Sequence, residues 1–298
     1  MPVFKYGFFL GCNIPAIRPD VEQAIRKTMP KLGVELVDVK GSACCPAFGT
    51  YPSADEYAAL AINAWNISIA EEIGVDIMVE CGSCYSSLKL GRDCLLRDEE
   101  KRKKVNEMLK VAGKKFEGKS DVRHIIDVLY NDVGTEKISR SINIKLDGIK
   151  VIAHSPCHML RPSNVLGFDN PERPYMLREL IEALGAEVPR YSREFQCCGG
   201  AGGFKRRAHI EAVEYTKKKL DAIKEETDAD LIVVSCITCL LHFDEIQKEL
   251  TEKGKGNYSI PVFDYNQLLA LCMGFDPKEV AAISIIPRDE IIERIIKS

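Results

Sequence analysis

The chain has 298 residues, 46% of them hydrophobic, with 44 acidic against 41 basic side chains and a net charge of −3. That length suggests about two globular domains, and the faintly acidic balance argues against a nucleic-acid binder, which is usually basic over a whole domain. No apolar run approaches the roughly 20 residues that span a bilayer, so no direct membrane insertion is expected, and the short Lys-containing lead before Cys12 is a poor secretion signal, leaving the cytoplasm as the expected location.

In chain order, an apolar strand over residues 5–10 ends at Cys12, and Arg18-Pro19 introduces a helix over residues 21–32 that stops at Gly33. A β-rich run over 34–39 leads to adjacent Cys44 and Cys45. A second helix over 53–73 ends at Gly74, and the apolar strand 75–80 runs into Cys81-Gly-Ser-Cys84. After a polar stretch at 134–148 the order repeats. A strand reaches Cys157, Arg161-Pro162 precedes a helix over 174–184, and the run 186–192 leads to Cys197-Cys198. A helix over 209–227 and the strand 229–235 then lead to Cys236-Ile-Thr-Cys239. Even the tails, residues 122–134 and 262–274, match loosely. The chain therefore reads as an internal duplication, residues 1–140 and 141–298, each half strand–helix–strand–helix–strand. Helices between apolar strands imply parallel βαβ units of Rossmann-like α/β type, with loops after the strand ends building the site. The repeated cysteines all follow such strands, which gathers them at one end of each sheet.

Twelve cysteines are many for a reducing compartment, where density of this kind signals metal or redox chemistry rather than disulfides. Thiolates suit iron–sulfur clusters and zinc. A structural zinc or a cubane cluster takes four of them, whereas each half offers five: Cys12, Cys44, Cys45, Cys81 and Cys84, then Cys157, Cys197, Cys198, Cys236 and Cys239. Adjacent cysteines diverge and reach different metal atoms. Five thiolates thus point either to a larger, less symmetric cluster or to a cubane with one reactive thiol left over, and zinc in one half stays open. Cys94 and Cys272 have no counterpart in the other half and read as core cysteines. Gly113–Ser120 spells G-x-x-x-x-G-K-S, but it follows a charged helix-like run rather than a buried strand, which excludes a phosphate loop.

The arrangement C-x31-CC-x35-C-x-x-C, then C-x39-CC-x37-C-x-x-C, resembles the cysteine-rich CCG repeat family over nearly the whole chain. The tripeptide itself stands at Cys197-Cys198-Gly199, and Pro46 replaces its glycine in the first half. A chain made only of two such repeats is similar to the B subunits of heterodisulfide reductases of methanogenic archaea. The resemblance implies two [4Fe–4S] clusters of non-cubane type and an oxidoreductase that splits the coenzyme M–coenzyme B disulfide into two thiols in methanogenesis. It implies electrons from the ferredoxin-like C subunit of heterodisulfide reductase, fed by the flavoprotein A subunit, with a hydrogenase or formate dehydrogenase beyond them. The alternatives are an electron-transfer subunit of a lactate, glycolate or fumarate type of oxidoreductase, and a non-catalytic zinc or cluster scaffold. Both halves of that disulfide carry anionic groups, which nominates Arg18, Arg161, Lys205, Arg206 and Arg207 as substrate-binding side chains. His154 and His158 flank Cys157, and His154 is the expected proton donor to a departing thiolate. Its competing role is a hydrogen bond to cluster sulfur.

Overall fold

A computed structural model describes residues 4–47 and 49–297. Its strands form two parallel sheets. In the first, β1 (Phe4–Phe9), β2 (Val34–Asp38), β3 (Asp76–Val79) and β4 (Val122–His124) lie in the order β2-β1-β3-β4. In the second, β5 (Val151–His154), β6 (Leu231–Val234) and β7 (Val262–Asp264) lie in the order β5-β6-β7. The partner that β5 lacks survives as one parallel bridge. Lys150 pairs with Glu187, as Lys5 pairs with Glu35 between β1 and β2. Val151 N donates to Glu187 O at 2.8 Å and Glu187 N to Ile149 O at 3.0 Å. Pro189 lacks an N–H and cannot extend that ladder. With the bridge counted, the two sheets have the same order.

The first sheet thus carries one strand more than the βαβαβ expectation, and the second keeps three, gaining β7 where the expected strand over 186–192 is reduced to the bridge. The tails at 122 and 262 open with β4 and β7, three residues each, too short to show an alternating pattern. Strands β5 and β6 are almost wholly apolar and buried along their length, as parallel strands covered by helices are, whereas edge strand β2 keeps exposed Glu35 and Asp38. The expected boundary falls in the segment joining β4 to β5.

The halves interlock reciprocally. The helix Pro19–Lys31 of the first half packs on Tyr265–Cys272 of the second, which directly follows β7. The helix Met176–Glu182 of the second packs on the turns Ile125–Val133 that follow β4, where Tyr130 donates to Glu179 at 2.6 Å. The helix Gly82–Arg97, opened by Cys81, lies against the turn Cys157–Leu160, and the helix Ile237–Glu252, opened by Cys236, touches the turn Asn13–Ile17. Gly82 permits the first of these approaches, because a Cβ there would stand 3.1 Å from Met159 Cγ. This packing brings the C-terminal ends of both sheets to one shared interface. Among the described residues, no helix is long and apolar enough to cross a membrane.

Candidate metal centres

All twelve cysteines are free, and ten of them stand just past strand ends in two adjoining groups. In the first group Cys84 Sγ lies 3.3 Å from Cys45 Sγ. Cys44 is tied by hydrogen bonds to Cys45 and Cys12, and Cys81 to Cys84. In the second, Cys157 Sγ lies 3.3 Å from Cys197 Sγ and Cys239 Sγ 3.2 Å from Cys198 Sγ, with Cys236 tied to Cys239. These separations are far beyond the ~2.05 Å of a disulfide. The two groups touch where Cys81 Sγ comes within 3.8 Å of Cys236 Sγ.

The local structure has evident causes. Cys81 and Cys236 are the N-caps of the two helices, which places Cys84 and Cys239 in the first turns, and the N–H groups of Ser83 and Cys84 at the first helix end favour the Cys81 thiolate. The loop after Cys198 needs glycine. Gly199 sits at φ 95°, and a Cβ on Gly200 would meet the His242 ring at 2.7 Å. Backbone N–H groups of Gly199 and Gly200 donate to Cys197 Sγ and Cys198 Sγ at 3.3 Å each. Thr216 Oγ1 braces the same loop, bonding Cys198 O at 2.7 Å and His242 Nε2 at 2.8 Å. The first half solves the problem with other residues. Ser87 Oγ donates to Pro46 O at 2.8 Å, and Asn63 Nδ2 to Ser87 O at 2.9 Å. Ser87 stands where the second half has His242, and there proline replaces glycine.

The sulfurs share protons unequally. Hydrogen bonds from Cys44 and Cys84 pull Cys45 down to about 5, and those from Cys157 and Cys198 pull Cys197 down to about 2. The Cys81 thiol is held well below its ordinary range by Cys236 and Cys84. The partners Cys44 and Cys157 are pushed up by the same bonds. A group in which some thiols ionise at the expense of their neighbours is suited to a soft cationic centre that displaces the remaining protons. Crowded free sulfurs, helix N-termini and sulfur-directed N–H groups together fit an iron–sulfur centre in each half.

The other side chains singled out in the sequence fall in different places. His154 ends β5 fully buried, edge-on to Phe243 with ring centres 5.0 Å apart, and among the described residues its ring nitrogens have no hydrogen-bond partner. One ring nitrogen lies within 4.8 Å of the Cys198 and Cys239 sulfurs. Burial, reinforced by Lys219, keeps it neutral. His158 is within electrostatic reach of one sulfur from each group, Cys197 and Cys81. Arg18 is buried and bound to Asp20 at 3.1 and 3.2 Å and to Gln267 at 3.4 Å, so it ties the halves together instead of facing the sulfurs. Arg161 is exposed and donates to Pro171 O, Lys205 pairs with Glu245, and Arg206 and Arg207 are exposed in the turn Phe204–Arg207 beyond the glycines. Cys272 is buried and Cys94 half-buried, away from both groups.

Sequence reasoning missed Lys219, His242 and the pair Glu80–Asp264. Glu80 precedes Cys81 and faces Asp264 at the end of β7, both fully buried. Burial and the Asp264 charge push Glu80 well up, so one proton shared between the carboxyls accounts for oxygens otherwise without a donor. A glutamate ending an apolar strand was the available signal.

A duplicated parallel α/β chain with a cysteine-rich loop system at the strand ends defines a class of cysteine-rich redox proteins. The comparisons narrow this: the family described as "Cysteine-rich domain", CCG, is matched twice, over residues 6–89 and 151–244, and the chain belongs to it. It is 48% identical over 296 residues to a protein of Archaeoglobus profundus that is named as like the B subunit of heterodisulfide reductase, covering 99% of each. It is 38% identical to the B subunit of a ferredoxin/F420H2-dependent CoB-CoM heterodisulfide reductase of Methanosarcina acetivorans, covering 93% of this chain and 91% of that one. It is 27% identical to the membrane anchor subunit of an 8-methylmenaquinol:fumarate reductase of Wolinella succinogenes, covering 93% and 94%. The fold alone is shared with a hypothetical protein from Helicobacter pylori (TM-score 0.75, 12% identity), with 96% of this chain matching 52% of that one.

Proposed function

We propose that the chain is the disulfide-reducing subunit of a heterodisulfide reductase-type complex. In this reading it holds one [4Fe–4S] cluster of non-cubane type in each half, on Cys12, Cys44, Cys45, Cys81 and Cys84 and on Cys157, Cys197, Cys198, Cys236 and Cys239. The observation that carries it is the 3.8 Å contact of Cys81 Sγ with Cys236 Sγ, which sets two sulfur groups side by side. When bound, each cluster supplies one electron at a time, and cleaving one S–S bond to two thiols takes two electrons and two protons. The chain's own residues do the rest. In this reading His158, whose pKa is pushed down by burial against the opposing pull of the Cys197 and Cys81 sulfurs, passes a proton to a departing thiolate, while Arg161, Arg206 and Arg207 offer positive charge to an anionic disulfide. Electrons reach the site from a ferredoxin-like C subunit and a flavoprotein A subunit, and the complex works in the cytoplasm. The relatives named as B subunits support this reading.

The test is anaerobic purification, counting iron, acid-labile sulfide and zinc, then following oxidation of reduced viologen dye. Iron and sulfide in equal amounts, with dye oxidised by the coenzyme M–coenzyme B disulfide, are expected. Replacing His158 with Ala should slow that oxidation at least tenfold with iron unchanged. Zinc without sulfide ends the proposal. Iron and sulfide with dye oxidised only by a quinone moves the chain to the fumarate-reductase kind of electron transfer.

A further inference from the structure

The two sulfur groups are alike in topology and unlike in electrostatics. Lys219 lies on the helix His209–Glu226, one turn beyond Thr216, and its side chain is fully buried. Its Nζ donates to three backbone carbonyls, of Arg193, Glu194 and Gln196, each at 2.9 Å. Three acceptors around one nitrogen require three N–H bonds. Only an ammonium has them, since a neutral amine would turn its lone pair on one carbonyl. Burial pulls Lys219 down to about 7, and the nearby Cys198, Cys197 and Cys239 sulfurs oppose that pull. Glu194 does not neutralise it, because its carboxylate is held by Arg178 at 2.9 Å and Arg190 at 3.0 Å. The Tyr191 ring, 5.2 Å away, covers another side.

The first half has a different residue at this place. On the helix Glu56–Ile73, one turn beyond Asn63, stands Asn66, also fully buried. Asn66 Oδ1 accepts from Ala43 N at 2.8 Å, just before Cys44. Lys219 and Asn66 therefore do the same mechanical work, fastening the stretch that leads into each cysteine pair. One carries a charge and the other does not. At the strand end the halves differ in polarity but not in charge, a neutral His154 standing where the first half has Phe9.

We propose that Lys219 is the positioning residue that makes the halves unequal, fixing the Cys197–Cys198 loop and raising the reduction potential of the centre held there. The proposal rests on the cluster reading above. A centre gains negative charge when reduced, and a cation in a dry interior stabilises that form.

The experiment uses full-length protein purified anaerobically, with iron and sulfide counted and both centres titrated by EPR against potential. Signals are assigned by which one Cys239→Ser removes. Lys219→Asn, which copies the first half's residue, should lower the potential of the C-terminal centre and leave the other in place. Asn66→Lys should raise the potential of the N-terminal centre alone, and it serves where Lys219→Asn fails to load iron. Iron-loaded Lys219→Asn with both potentials unchanged, or iron-loaded Asn66→Lys with the N-terminal potential unchanged, overturns the proposal. Wild-type protein without iron and sulfide instead fails the cluster reading itself, a distinguishable result.

Discussion

His124 closes β4 with both ring nitrogens engaged. Nδ1 accepts from Ile126 N at 3.2 Å and Nε2 meets the Glu80 carbonyl at 2.5 Å, which fixes a neutral ring with the proton on Nε2. Burial holds it down to about 4, and a second proton would break the cap on the following turn. The unfolded chain binds that proton near 6.5. His124 therefore contributes stability that is fully present above pH 6.5 and is lost as pH falls toward 4, at about 1.4 kcal/mol per pH unit. The difference in urea midpoint between wild type and His124→Gln should shrink as pH is lowered from 7 to 4.5, and a constant difference would contradict this. At this scale the sequence was legible for the cysteines, because five thiols repeated in register have few other uses. It was not legible for Lys219 or Asn66, whose residue types are ordinary on exposed helix faces. Only the packing shows them turned inward. His154 was singled out for its closeness to Cys157 in the sequence, and only the fold shows it fully buried beside Cys198 and Cys239.

The elements that hold the cysteine loops show how little slack the site has. The helices Glu56–Ile73 and Gly82–Arg97 approach so closely at Gly91 that a Cβ there would collide with the Asn63 side-chain amide. Asn63 bonds Ser87 O, and Ser87 fastens Pro46 next to the first cysteine pair. Gly91→Ala should thus cost about 1–3 kcal/mol by urea denaturation and loosen iron from the N-terminal group before the C-terminal one. Equal loss from both groups would show that this brace is not local. The long helices and apolar strands were readable because their periodicities run over enough residues. β4 and β7 were not, and the fourth strand of the second sheet shrinks to the Lys150–Glu187 bridge beside Pro189.

Over the whole molecule, the reciprocal packing of each half's first long helix on the other's last elements makes one interface. At its centre Arg18 and Asp20 are buried together, and Gln267 Nε2 donates to Asp20 at 2.6 Å from the opposite half. Removing the cation leaves a buried carboxylate with too few donors. Arg18→Met should destabilise the protein by about 3–5 kcal/mol, measured as the denaturant midpoint. A loss below about 1 kcal/mol would mean that Asp20 reaches water or is neutral.

The amino-acid sequence by itself determined the duplication, the α/β class and the ten repeated cysteines that crowd together, since strand and helix periods and repeated thiol spacing are local properties of the chain. It did not determine that the two donor groups abut through Cys81 and Cys236, that Arg18 is structural, or that Lys219 serves one group and Asn66 the other. The first two follow from the exchange of packing surfaces between the halves, where partners stand 155 and 249 positions apart, and the last from how a helix within each half packs on the cysteine loop beside it, a contact that no local pattern points to.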